Sequence, residues 1–175
     1  PATEVNVRTE YTYDENGNRL TISDGNGHVT NFTYDELNRL ITETDPLGNT
    51  WTYAYDVLGN RISMTDANGE TTYYSFDDAN RLDGIDYTDN SDVEFSYDAG
   101  GRRTSMTDSA GTTSWTYDEL NRPTAITDPF DTTVTYVYDS VGNLSRMLYP
   151  NKDVSYTYDA ANRLTQVNDF SKVTG

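Results

Sequence analysis

Carboxylates are the side chains best placed for chemistry in this sequence of 175 residues, which contains 29 Asp and Glu, one His and no Cys. Carboxylates act as general acids and bases when paired, and as calcium ligands when several oxygens converge. Eight of those that directly follow an aromatic residue recur along the chain at a regular interval. These aspartates are Asp14, Asp35, Asp56, Asp77, Asp98, Asp118, Asp139 and Asp159.

The spacing of these aspartates argues against catalysis. Successive members recur at a nearly constant interval of about 21 residues. A catalytic pair is expected to break such a period, whereas turn residues of a repeat follow it. His28 alone cannot supply a catalytic triad, and the absence of Cys excludes thiolate nucleophiles and thiolate metal sites. We predict no enzymatic activity, no catalytic residue, no metal site and no cofactor.

Two segments leave calcium binding open as a weaker alternative. Asp24-Gly25-Asn26-Gly27 and Asp66-Ala67-Asn68-Gly69 resemble parts of calcium-binding loops. Both lack the full set of spaced oxygen ligands and the closing bidentate Glu. Their Asp-x-x-Gly pattern is also typical of a turn, which is the favoured interpretation.

Aromatic residues provide the pattern that organises the chain. Another aromatic residue precedes each aromatic-Asp dipeptide by two positions, a spacing that places both rings on the same face of a β-strand. We predict that these rings form a structural ladder along one face. Its members are Tyr11, Tyr13, Phe32, Tyr34, Tyr53, Tyr55, Tyr74, Phe76, Phe95, Tyr97, Trp115, Tyr117, Tyr136, Tyr138, Tyr156 and Tyr158.

A second row of residues is predicted to face the same side. It lies nine residues beyond each Tyr or Phe of the dipeptide, and seven of its eight members are apolar. The row consists of Ile22, Glu43, Met64, Ile85, Met106, Ile126, Met147 and Val167.

Tight turns separate the strands. Four residues beyond each aromatic residue of the dipeptide stands a Gly or an Asn, both of which tolerate positive φ after a type I turn. Gly and Asn alternate strictly over the eight repeats, which suggests a double unit made of two successive repeats. A second Asp-x-x-Gly turn closes most repeats, for example at 45–48, 66–69 and 108–111, and departs from the pattern at 87–90 and 149–152.

The fold class follows from these signals. Each repeat of about 21 residues is predicted to be strand, turn, strand, turn, and no amphipathic helix pattern is present. We therefore predict an all-β chain of tandem β-hairpins in a spiralling antiparallel sheet, a solenoid or a partial shell.

The sequence from Tyr34 to Asp56, YDELNRLITETDPLGNTWTYAYD, resembles the YD repeats of RHS proteins, and the resemblance covers essentially the whole chain. Similar repeats occur in insecticidal toxin complexes, polymorphic toxins and teneurins. The resemblance implies hairpins wound into a hollow shell, which in bacterial members commonly encloses a toxic C-terminal polypeptide. Such shells often end in a self-cleaving aspartyl motif. Asp45-Pro46-Leu47-Gly48 resembles it superficially but lies inside an ordinary repeat, so we interpret it as a hairpin turn.

Residues 1–175 are expected to be a single array of eight YD repeats, with incomplete repeats at both ends, cut from a longer protein. Val5 and Val7 are expected to alternate toward Tyr11 in the first strand, and Lys172–Gly175 to precede a missing aromatic strand. About 16 strands at ~4.8 Å spacing would close into a ring only ~25 Å across. A folded domain of ~100 residues is roughly 34 Å across, so this segment alone is not expected to enclose one.

The leading functional hypothesis is a non-catalytic wall segment, secreted or on a bacterial-type cell surface. Its partners would be the remainder of its own chain and a passenger toxin. The net charge of −17 excludes a nucleic-acid-binding surface, and no apolar stretch is long enough for a membrane span. The alternative is an adhesive β-solenoid that associates end to end or binds glycans. Trp51 and Trp115 would be its platforms, although membership of the aromatic ladder is the favoured interpretation for both.

Overall fold

The computed structural model describes residues 8–171, and all regular secondary structure in this range is β. The predicted entry strand through Val5 and Val7 and the segment 172–175 lie outside the described residues. The chain divides into two compact units, Pro1–Ser91 and Asp92–Gly175. Within each unit, strands that follow one another in the chain pair antiparallel. The prediction of an all-β chain of hairpins is confirmed.

The first unit contains eight strands of four to six residues. They are β1 (Glu10–Tyr13), β2 (Arg19–Ser23), β3 (Val29–Tyr34), β4 (Leu40–Thr44), β5 (Thr50–Tyr55), β6 (Arg61–Thr65), β7 (Thr71–Phe76) and β8 (Leu82–Asp86). The second unit contains β9 (Val93–Tyr97), β10 (Arg103–Asp108), β11 (Gly111–Tyr117), β12 (Pro123–Thr127), β13 (Thr133–Tyr138), β14 (Leu144–Tyr149), β15 (Lys152–Tyr158) and β16 (Leu164–Ser171).

The turn after each aromatic-Asp dipeptide is built by the aspartate, and we call it the YD turn. At Asp56, the backbone N–H groups of Leu58 and Asn60 donate to one carboxylate oxygen at 2.9 and 2.8 Å. The N–H of Gly59 donates to the Asp56 carbonyl at 3.2 Å, and Gly59 has a φ of +93°. Asn38 occupies the corresponding position of the preceding repeat with a φ of +61°. The predicted type I turn with a following left-handed residue is thus confirmed.

The second turns are less uniform than the sequence pattern predicts. The turn at 45–48 has the expected geometry, and at 87–90 Tyr87 and Asn90 take the places of Asp and Gly. At 108–111, however, Asp108 and Gly111 pair directly, with only two residues between them. The expected geometry, a type I turn followed by a left-handed residue, is therefore wrong there. Tyr149 and Lys152 pair in the same way. These shorter turns fall in the two repeats that are one residue shorter than the others.

A β-bulge interrupts each pairing between an aromatic strand and the strand that follows it. Thr33 lies opposite Thr42 but Tyr34 lies opposite Leu40, so Ile41 has no partner. The residues skipped in this way are Leu20, Ile41, Ile62, Asp83, Thr104, Thr124, Ser145 and Thr165. Because a bulge bends its strand and increases the local right-handed twist, one bulge in every repeat curls the sheet at a regular interval.

The two faces of the sheet differ in chemistry. Tyr53 lies opposite Met64, so both side chains belong to the same face, which we call the aromatic face. The opposite face carries paired threonines, such as Thr33 and Thr42, whose hydroxyl oxygens are 2.6 Å apart. Among the described apolar residues only Phe32 and Val154 are buried, at 6% and 8% exposure. Most rings in the described part of the chain are thus only partly covered.

Candidate functional site on the aromatic face

Tyrosines of the YD dipeptides connect several repeats to the one before. The hydroxyl of Tyr55 donates to the Leu40 carbonyl at 2.9 Å, and the hydroxyl of Tyr34 donates to the Arg19 carbonyl at 3.0 Å. Tyr117, Tyr138 and Tyr158 make the equivalent bond in the second unit. In every case the acceptor is the first residue of the bulged strand. This polar end explains the use of Tyr, because a half-covered ring with a hydroxyl requires a partner for it.

Arginines reinforce the same connection, and the sequence patterns had not singled them out. Arg39 donates from Nε to the Asp35 carboxylate at 2.7 Å and from a terminal nitrogen to the Asp56 carbonyl at 2.8 Å. Its guanidinium carbon also lies 4.9 Å from the centre of the Tyr55 ring. Arg102 makes the equivalent contacts with Asp98, Asp118 and the Tyr117 ring. One cation therefore joins two YD turns and covers a tyrosine. The signal that would have revealed it is an Arg directly after the Gly or Asn that ends a YD turn.

The alternation of Gly and Asn in the YD turns has a structural explanation. The residue after a turn Gly donates to the side-chain oxygen of the Asn in the next turn, as Asn18 does to Asn38 at 2.6 Å. The pairs Asn60–Asn80, Arg102–Asn121 and Asn143–Asn162 repeat this bond. Arg39, which follows an Asn turn, contacts the backbone of the next turn, and Arg102, which follows a Gly turn, makes both kinds of contact. What each double unit repeats is therefore the bond from the residue after the Gly turn to the Asn side chain of the next turn.

The turn carboxylates are held in their charged form. The N–H of Arg39 and its guanidinium lower the pKa of Asp35, and the Arg81 side chain lowers the pKa of Asp77. At Asp66 the main cause of the lowered pKa is the backbone N–H of Glu70. A carboxyl group that acts as a general acid near neutral pH needs the opposite shift, a raised pKa. These aspartates are therefore suited to building turns.

In the two segments considered for calcium binding, the aspartates also accept hydrogen bonds from the backbone of their own turns. The Asp24 carboxylate accepts the N–H groups of Asn26 and His28 at 2.9 Å and contacts the exposed His28 ring at 2.8 Å. The Asp66 carboxylate accepts the N–H groups of Asn68 and Glu70. Across residues 8–171, no group of three or more Asp, Glu, His or Cys side chains converges as metal ligands. That same range contains no helix with the length and hydropathy required to cross a membrane.

Further arginines stack on rings of the aromatic face, among them Arg122, 4.2 Å from the centre of the Tyr138 ring. Arg19 lies 4.8 Å from the centre of the Phe32 ring, and Arg103 lies 4.6 Å from that of Phe95. Arg61 lies between Tyr53 and Tyr74, at 5.8 and 5.1 Å. Each of these contacts is a cation–π interaction. The aromatic face therefore carries positive charge, although the chain as a whole is strongly acidic.

The predicted ladder residues occupy strand positions on this face, with differing degrees of exposure. Phe32 is buried, whereas Tyr11 and Tyr13, on the first described strand, are 49% and 58% exposed. The two tryptophans considered as glycan platforms are both half-buried. Trp115 lies opposite Ile126, and Trp51 lies opposite Glu43. Their contribution to stability, like that of the ladder as a whole, stays a prediction.

Comparison with known proteins agrees with the geometry. A structure of TcdB2-TccC3 without its hypervariable C-terminal region matches 91% of this chain with a TM-score of 0.74 and 22% identity. A Tc holotoxin pore from Photorhabdus luminescens matches 90% with a TM-score of 0.73 and 22% identity. This chain covers 10% of the matched chain in both, and at this identity the likeness shows the fold. A search of curated proteins found no significant match. The family model for the teneurin YD-shell matches residues 3–173, so the chain belongs to the teneurin YD-shell family.

Proposed function

We propose that this chain is a non-catalytic stretch of the wall of a YD shell that encloses or presents a C-terminal toxin. It takes this role as one array of eight YD repeats over residues 1–175. The observation that carries the proposal is the repeated connection between neighbouring repeats, in which a Tyr hydroxyl and an Arg guanidinium cross from one hairpin to the next. Contacts of this kind suit a wall, because they recur between neighbouring repeats in both units.

The comparisons support the toxin part of this proposal. The matched structures belong to Tc toxin proteins, and one of them is described as lacking a hypervariable C-terminal region. A shell of constant repeats followed by a variable C-terminal part fits a container with an exchangeable passenger. The partners of this chain would then be the remainder of its own polypeptide and that passenger, in a secreted or surface-displayed protein.

The adhesive alternative has less support. A glycan platform requires an indole face that is open to the sugar, and both Trp51 and Trp115 are half-buried among the other residues of the aromatic face.

Protease protection of the C-terminal polypeptide in the full-length parent tests the proposal. Phe32→Ala removes a buried ring, which typically costs roughly 3–5 kcal/mol, and should open the wall. We expect faster cleavage of the C-terminal polypeptide in this variant than in the wild type. Val57→Ala is the matched control, because Val57 is 98% exposed, and should leave protection unchanged. A wild-type parent whose C-terminal polypeptide is cleaved as fast as the isolated polypeptide, or a parent without one, would refute enclosure.

A further inference from the structure

Glu43 stands out on the aromatic face. It occupies the row nine residues beyond the YD aromatic residues, where the seven other members are apolar. Its backbone register places it directly opposite Phe32 on β3 and directly opposite Trp51 on β5. Since directly opposite residues share a face, the carboxylate lies between a phenyl ring and an indole ring.

A third ring lies beside the same carboxylate. Tyr53 is two residues beyond Trp51 on β5 and so points to the same face. Burial raises the pKa of Tyr53, and the negative charge of Glu43 raises it further, as expected for two neighbouring groups. Glu43, Phe32, Trp51 and Tyr53 together form what we call the Glu43 cluster, which lies entirely within the first unit.

The charge of Glu43 is not neutralised within the protein. In the described part of the chain, Glu43 takes part in none of the ion pairs. The two arginines that stack on rings of the cluster do so without pairing with its carboxylate: Arg19 covers Phe32, and Arg61 lies between Tyr53 and Tyr74. A half-buried carboxylate that lies among rings and forms no ion pair of its own is unfavourable for folding.

The equivalent positions in other repeats show that folding does not require a carboxylate. Met64, Met106 and Met147 occupy the same place in their strands, opposite Tyr53, Phe95 and Tyr136. A residue that departs from the local pattern at a cost to stability points to a role outside folding.

We propose that the Glu43 cluster binds a protonated lysine or arginine side chain from a basic polypeptide segment lying on the aromatic face. The carboxylate supplies a charge-assisted hydrogen bond to the cation. The half-buried Trp51 ring, on which none of the arginine stacking contacts of the described residues falls, attracts it as well. The net charge of −17 favours the approach of a basic segment over an acidic one. The site does not depend on the chain being part of a toxin shell.

The two tryptophans provide the test with an internal reference. Trp51 belongs to the cluster, whereas Trp115 lies opposite the apolar Ile126. Indole N–H signals of the full chain would be followed by NMR, with Trp115→Phe to assign them. The probe is a capped pentapeptide with one lysine among four glycines, and its control carries norleucine in place of lysine.

We expect the lysine peptide to shift the Trp51 signal saturably, with a smaller effect at high salt, and to leave Trp115 unchanged. Glu43→Met should weaken this binding at least fivefold while melting no lower than the wild type, because it recreates the residue of neighbouring repeats. Glu43→Gln, of the same size, should weaken it similarly. Equal shifts of both indoles, an equal response to norleucine, or unchanged binding in folded Glu43→Met would overturn the proposal. Binding of phosphocholine but not of the lysine peptide would overturn it too, in favour of a quaternary ammonium ligand.

Discussion

Tyr55→Ala tests whether the rings of the aromatic face stabilise the sheet. The substitution removes the hydroxyl bond to the Leu40 carbonyl and the stacking of Arg39 on the ring. The hydrogen bond contributes about 1 kcal/mol and the cation–π contact about 0.5–1 kcal/mol. Loss of the ring itself adds about 1–2 kcal/mol, because a fully buried large side chain contributes about 1.5–3 kcal/mol and this ring is half-buried. We therefore expect Tyr55→Ala to lower the free energy of unfolding by about 3 kcal/mol.

Urea unfolding followed by circular dichroism measures this change, and two variants make it specific. Tyr55→Phe should lose only the hydroxyl bond, about 1 kcal/mol, and repeat four already has Phe76 in this position. Tyr73→Ala is the matched control on the opposite face, where Tyr73 is 56% exposed, and should cost clearly less. If Tyr55→Ala is no more destabilising than Tyr73→Ala, the aromatic face does not stabilise the fold.

Two further predictions concern the turns. Gly111 has a φ of +122°, and a Cβ there would lie 2.9 Å from the Pro129 Cβ, whereas Gly69 has a φ of +87° and open space around it. Both substitutions introduce backbone strain, but only Gly111→Ala adds a clash with Pro129. Gly111→Ala should therefore lower the free energy of unfolding by ~1 kcal/mol or more beyond the loss in Gly69→Ala. Thermal melts of the two variants measure this difference. Equal losses would contradict this difference. A double-mutant cycle of Asn18→Ala and Asn38→Gly should give a coupling of about 0.5–1 kcal/mol for their side-chain bond. Additive effects would show that this contact does not explain the alternation of Gly and Asn.

Much of the local structure could be predicted from the sequence. Tyr53 and Tyr55 were expected to lie on one strand, and both belong to β5. Asn38 was expected at a left-handed position after a type I turn, and it has a φ of +61°. These features are predictable because side-chain direction in a strand and backbone preference in a turn depend on residues a few positions apart.

The contacts between repeats could not be predicted from the sequence patterns. The connections made by the Tyr55 hydroxyl and Arg39 join residues 15 and 17 positions apart, which belong to successive hairpins. The alternation of Gly and Asn was visible in the sequence, but its cause lies in bonds between successive repeats, such as that from Asn18 to Asn38.

For the bulge and the Glu43 cluster, too, the residues are visible in the sequence but their contacts depend on how the strands pair. Ile41 is an ordinary strand residue by type, and only the pairing of β3 with β4 leaves it without a partner. Glu43 was visible as the exception in an apolar row, but its position between Phe32 and Trp51 depends on the register of three strands. The sequence by itself determined where the chain extends and turns, because those preferences are local. The tertiary structure decided which side chains meet, because the register of neighbouring strands determines which residues lie opposite one another.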